Sequence, residues 1–122
     1  MHTAERYEHS KAGLNAFPHD VGDKGPGLLA INLSWNNIAD LPSGAFRRML
    51  NVEEVDFSYN DLKVLPEEIS VLNRLRMLDV QGNQIAFLPS SFERLNVEEL
   101  YMAFNQVRRR AESATCVPPG PP

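Results

Sequence analysis

Catalysis needs a nucleophile, an acid–base pair or a metal set at workable spacing, and this chain offers little of each. Its histidines, His2, His9 and His19, lack the paired cysteines or carboxylates of a metal site. The single cysteine, Cys116, falls in a proline-rich tail with no histidine or acid nearby, so neither an internal disulfide nor a reactive thiolate is expected. Gly22, Gly25 and Gly27 are spaced unlike a phosphate-cradling loop and follow no credible strand. Glu53-Glu54, Glu67-Glu68 and Glu98-Glu99 resemble acid–base pairs only until they are placed on a strand, where neighbours point to opposite faces, so solvation is their expected role. No catalytic residue, metal or cofactor is therefore expected. What remains is the chemistry of recognition: carboxylates at Asp56 and Asp79 that take charge-assisted hydrogen bonds, and rings at Trp35, Tyr59 and Tyr101 that accept stacked cations or anchor an interface.

Composition agrees with that class. The 122 residues suit one domain, and 43% hydrophobic with 23% charged residues implies a packed interior. Sixteen acidic against twelve basic residues give a net charge of −4, which repels phosphate and argues against nucleic acid as a partner. Arg108-Arg109-Arg110 is too short to read as a basic patch, since such runs usually span about 5–8 residues. The opening from Met1 to Arg6 has no apolar run of a secretory signal, and no stretch approaches the ~18 apolar residues of a membrane span. The expectation is a cytoplasmic chain that does not insert into a membrane.

The elements that hold the recognition residues emerge from a repeat. Aligned on Asn36, Asn60, Asn83 and Asn105, the upstream residues read Leu28-x-x-Ile31-x-Leu33, Val52-x-x-Val55-x-Phe57, Leu75-x-x-Leu78-x-Val80 and Val97-x-x-Leu100-x-Met102. Downstream come Ile38-x-x-Leu41-Pro42, Leu62-x-x-Leu65-Pro66 and Ile85-x-x-Leu88-Pro89, with Val107 beginning the same run. The apolar–polar alternation before each Asn is that of a strand with one buried and one wet face, and neighbouring copies should pair into a parallel sheet. Each Asn should turn the chain inward and satisfy backbone groups of the turn, so stacked copies predict an Asn ladder.

The pattern L-x-x-L-x-L-x-x-N-x-L-x-x-L-P over residues 28–107 resembles the leucine-rich-repeat family. The resemblance implies an α/β leucine-rich-repeat solenoid, with a short curved parallel sheet on the concave face and 3₁₀ or short helices on the convex face. Repeats are expected at 28–51, 52–74, 75–96 and 97–110, behind a degenerate N-terminal repeat or cap over 1–27 and before a disordered Pro-rich tail over 111–122. In the N-terminal unit the strand would read Tyr7-x-His9, with Ala12 at the Asn position. Pro66 to Leu72 reads as a helical turn, whereas Pro89 to Leu95 suits a shorter 3₁₀ turn. Arg110 stands where the fourth unit needs Leu, and without a cap the strand near Val97 to Met102 would leave an open edge.

In this register the outward positions form columns. One reads Asn32, Asp56, Asp79, Tyr101; two residues earlier stand Ala30, Glu54, Met77, Glu99; just before each Asn come Trp35, Tyr59, Gly82, Phe104. Asn32, Trp35, Glu54, Asp56, Tyr59, Met77, Asp79, Glu99 and Tyr101 are the candidate partner-binding residues. They describe an acidic centre below aromatic rings, suited to another protein with an Arg/Lys-rich surface. Val55-Asp56-Phe57-Ser58-Tyr59-Asn60 is itself common in the family, so Asp56, Asp79 and Tyr59 fit a scaffold role as well, while Trp35 and Tyr101 depart further from the pattern. Four strands give a face of only ~300 Å², against ~800 Å² per partner in a standard interface.

Leu65-Pro66-Glu67-Glu68-Ile69-Ser70-Val71-Leu72 resembles the cytosolic L-P-x-x-I-x-x-L type, which implies scaffold or adaptor work. Leu41-Pro42-Ser43-Gly44-Ala45-Phe46 resembles the L-P-x-G-x-F of secreted and receptor members, and a regulatory or targeting subunit of an enzyme is a further alternative. Asn32-Leu33-Ser34 is a glycosylation sequon on the sheet itself, which favours a chain that never meets the glycosylation machinery.

Overall fold

The computed structural model describes residues 5–18, 20–21, 27–42, 44–103, 105 and 109–110. The expected Pro-rich tail and Phe104 lie outside these, as do Cys116, His2 and His19. Seven strands are formed: β1 Glu5–Glu8, β2 Leu28–Asn32, β3 Glu54–Asp56, β4 Met77–Asp79, β5 Phe87–Leu88, β6 Glu99–Tyr101 and β7 Arg109–Arg110. The main sheet has five parallel strands in the order β1-β2-β3-β4-β6, and β5 pairs with β7 in a second, two-stranded ladder. The returns after Pro66 and Pro89 are 3₁₀ turns at Glu67–Val71 and Ser90–Arg94, and a further one spans Ala45–Arg48. This is the solenoid implied by the repeat, strands on one side and short helical turns on the other.

The inward strand positions make the core. Ile31, Val55 and Leu78 stand in register and are 0–2% exposed, beside Leu33, Phe57 and Val80. From the return segments Phe46, Met49, Ile69 and Leu72 close the other side. The burial fades at β6: Leu100, in register with Leu78, is 38% exposed.

The strand expected in the degenerate N-terminal unit is present: β1 adds a fifth strand in register, Tyr7 against Ile31 and Glu8 against Asn32. Tyr7 fills the core position, its phenol donating to Asp20 Oδ1, which lets a polar-tipped ring replace the usual aliphatic residue. Two other expectations need correction. The returns after Pro66 and Pro89 do not differ in kind: both are five-residue 3₁₀ turns, each entered from an extended proline standing outside the helical residues. Finally, the adjacent acids are not simply solvated. Glu68 Oε1 accepts from Gly44 N in the preceding unit, while the Glu67 carboxylate accepts from Ser90 N, Ser90 Oγ and Ser91 N in the following one. The Ser91 backbone N–H, aided by the other donors, holds the Glu67 carboxyl below its ordinary pKa.

Candidate functional site

The Asn positions work as a chained ladder. Asn60 Nδ2 donates to the carbonyls of Leu33, Phe57 and Ser58, and its Oδ1 accepts from Ile38 N of the preceding unit. Asn83 does the same toward Phe57, Val80, Gln81 and Leu62 N, and Asn105 toward Val80, Met102, Ala103 and Ile85 N. Asn36 binds His9, Leu33 and Ser34 carbonyls and accepts from both Ala12 N and Leu14 N. Leu33, Phe57 and Val80 carbonyls are thus each shared by two successive Asn side chains. No buried side-chain polar atom among the described residues lacks a partner.

This ladder fixes the heights of the outward columns. The central row is Glu8, Asn32, Asp56, Asp79, Tyr101, each in register with the next. Below it run Arg6, Ala30, Glu54, Met77, Glu99. Every candidate residue on these two rows therefore lies on one face. Arg6 and Glu8 were missed by sequence reasoning, although the position between Tyr7 and His9 aligns with Asn32 and was the available signal.

Part of the central row is spent on the fold. Asn32 Oδ1, Asp56 Oδ1 and Asp79 Oδ1 each accept the backbone N–H two residues on, from Ser34, Ser58 and Gln81. Asn32 and Asp56 also accept the serine hydroxyls, and Asp79 Oδ2 accepts Gln81 Nε2. Neither Asp56 nor Asp79 meets a cation among the described residues. Burial, seconded by the neighbouring Asp56 charge, raises the Asp79 pKa against the opposing Gln81 bonds. Tyr101 Oη donates to Glu99 Oε1, which raises the phenol pKa and keeps it a donor.

The lower row is differently compensated. Arg6 Nε lies 3.1 Å from Glu8 Oε2, and Nη2 lies 3.5 Å from Glu54 Oε1. The reach from β1 to β3 passes over Ala30, whose short side chain leaves room and is itself 5% exposed. Beside this bridge, Arg76 lies 3.7 Å from both Glu53 and Glu98. Glu54, Arg76, Met77, Glu98 and Glu99 line a depression of about 230 Å³.

Above the carboxylates, Trp35 and Tyr59 stack with centroids 4.1 Å apart and planes 10° from parallel. Lys11, Trp35 and Tyr59 all have left-handed backbone, at φ 54, 58 and 57°, and Gly82 follows in the same column at 73°. Left-handed backbone costs a non-glycine residue about 1–2 kcal/mol, and aromatic stacking returns about 0.5–1.5 kcal/mol. Gly82 is where Tyr59 rests: a Cβ there would lie 2.4 Å from Tyr59 Cδ1. Trp35 remains 53% exposed and Tyr101 45% exposed, so both retain surface for a partner.

Among the described residues no cluster of three or more His, Cys, Asp or Glu could hold a metal, and no helix is long and apolar enough to cross a membrane. Among solved structures, a leucine-rich-repeat protein of Leptospira interrogans superposes with a TM-score of 0.70, at 24% identity, covering 86% of this chain and 33% of that one. Among relatives, chicken Tsukushi is 39% identical over 64 residues, 50% of this chain and 17% of Tsukushi. A protein of Xanthomonas campestris pv. campestris named uridine 5'-monophosphate transferase is 34% identical over 91 residues, 73% of this chain and 16% of that protein. The chain thus spans less than a fifth of either relative. A family model described as Leucine rich repeat matches residues 26–85, the stretch that carries the first Asn-ended strands, and with the five-strand sheet and its chained Asn ladder it makes this chain a leucine-rich-repeat protein.

Proposed function

We propose that the chain is a non-catalytic interaction module of scaffold or adaptor type, binding a basic protein on its strand-lined face. Leucine-rich-repeat proteins in general mediate protein–protein interaction. The observation that carries the finer reading is the pair Asp56 and Asp79, adjacent in register, without a cation among the described residues, beneath the Trp35–Tyr59 stack. A partner's Arg or Lys placed there gains charge-assisted hydrogen bonds, and neighbouring aromatic rings supply anchor area.

The fifth strand enlarges the projected face from ~300 to ~400 Å², still below the ~800 Å² of a standard contact. Binding by this face alone is therefore weak, or extends onto the rim that Trp35 occupies. A cytoplasmic location fits the same reading: Asn32 stands between Glu8 and Asp56, so a glycan on its sequon would cover the face.

The test is affinity capture from cytosolic extract with wild-type protein and an Asp56→Lys/Asp79→Lys variant, followed by direct binding to each protein identified. Proteins that bind wild type and are lost on charge reversal support the reading, and Trp35→Ala and Tyr101→Ala should weaken the same complexes. An unchanged set would place recognition elsewhere.

A further inference from the structure

We infer that Arg6 sets the footprint of a basic partner on this face, by filling the place such a partner would otherwise take on the β1 side. The inference rests on the basic-partner reading above and goes beyond it in assigning a specificity-determining residue.

The lower row and the central row together carry five carboxylates, Glu8, Glu54, Asp56, Asp79 and Glu99. Among the described residues two guanidinia stand near them: Arg76, at the depression, meets Glu53 and Glu98 outside these five, while Arg6 engages two of the five, Glu8 on its own strand and Glu54 two strands away. Hydrogen bonding to Glu8, with the charge of Glu54, keeps the guanidinium firmly protonated. The arrangement depends on Ala30, because any longer side chain at that row position would stand between Arg6 and Glu54.

What Arg6 leaves uncompensated lies on β3, β4 and β6. Among the described residues Asp56 and Asp79 meet no cation, and Glu99 accepts from the Tyr101 phenol. Between Glu54 and Glu99 the row residue is Met77, half-buried at the depression. That gives an apolar floor for the methylene stem of a long basic side chain and carboxylates for its head, the division such side chains prefer. The β1 side, already charge-matched, offers a basic partner neither attraction nor room. Arg6 therefore turns a face acidic across its width into one that attracts cations only toward the β6 edge.

The experiment uses a fluorescein-labelled tetra-arginine peptide as probe, followed by fluorescence anisotropy at low salt, with thermal melts confirming that each variant folds. Arg6→Gln removes the charge and shortens the side chain while keeping a polar end. It should tighten binding about two- to fivefold, the range set by the worth of an exposed ion pair. Glu54→Gln alone should change affinity less than about twofold, since Arg6 already occupies that carboxylate, but in the Arg6→Gln background it should remove the gain. Unchanged or weaker binding by Arg6→Gln, with binding still lost in Asp56→Asn/Asp79→Asn, overturns the role of Arg6 and leaves the face reading standing. Binding unaffected in Asp56→Asn/Asp79→Asn overturns the face reading and this inference with it.

Discussion

The ladder makes a quantitative prediction, because the consequences of cutting one rung can be traced atom by atom. Asn60→Ala removes four hydrogen bonds, yet it orphans only one group. The Leu33 carbonyl keeps Asn36 Nδ2, the Phe57 carbonyl keeps Asn83 Nδ2, and the Ser58 carbonyl keeps Trp35 N. The group left unpaired is Ile38 N–H, in a wholly buried bond at a residue 1% exposed. A buried orphan donor costs about 1–3 kcal/mol, and losing one of two donors at three carbonyls adds roughly 1–2 kcal/mol, for a total of about 2–5 kcal/mol. Asn105→Ala orphans Ile85 N–H in the same way, but in a bond that is only part-buried and so open to a replacing water. Its cost should be about 1–2 kcal/mol. Urea denaturation at neutral pH, compared through midpoints at a common slope, separates the two. A loss below about 1 kcal/mol for Asn60→Ala, or equal losses for both variants, refutes the tracing of buried polarity through the ladder.

Two further outcomes follow from the face. Gly82→Ala combines a left-handed backbone with a Cβ inside the Tyr59 ring, so it should cost about 2–3 kcal/mol and disturb the stack on Trp35; as the chain has a single Trp, its near-UV circular dichroism reports the loss, and an unaltered spectrum would contradict the packing. Asp79 titrates above its ordinary value because it is partly buried beside Asp56, so its ionisation destabilises the fold as pH rises through that raised pKa and the penalty is absent once pH falls below the unfolded value. Asp79→Asn should accordingly raise the melting temperature slightly at pH 7, by less than about 0.5 kcal/mol in stability because the group is screened, and the advantage should vanish near pH 4; a variant less stable at pH 7 than at pH 4, relative to wild type, would reverse the sign.

The parts of this molecule written as a period were legible in its sequence. Asn36, Asn60, Asn83 and Asn105 mark the ends of β2, β3, β4 and β6 because each turn buries the same carbonyls and needs the same amide. The column just before them was legible as aromatic, but not as left-handed, though Gly82 in the third unit was the clue. Strand β1 was read as irregular because Ala12 replaces the Asn. The reason is physical: β1 stands first in the sheet order, and Asn36 reaches back to satisfy Ala12 N and Leu14 N by itself. The strand itself was legible at Tyr7-x-His9, but its outward residues Arg6 and Glu8 were not carried into the columns. The clasps of Glu67 and Glu68 were equally hidden, since they hold neighbours on opposite sides and leave no repeat of their own.

Framework and recognition overlap most at the central row, and charge is what separates them. The turn after each strand requires one oxygen that accepts the N–H two residues on, and Asn32 supplies it without a charge, at 3.0 Å from Ser34 N. Asp56 supplies the same bond at 2.9 Å and Asp79 at 3.2 Å, so for this backbone bond a carboxylate does no more than an amide could, and the one addition is the exchangeable Gln81 Nε2 bond to Asp79 Oδ2. The charges bring instead mutual repulsion and partial burial, visible in the raised Asp79 pKa. A group whose hydrogen bond serves the fold while its charge opposes it is divided between two tasks. The fold accounts for the oxygen but not for the charge, which the proposed function assigns to a cationic partner, and this is why substitution by Asn rather than Ala is the informative change at Asp56 and Asp79.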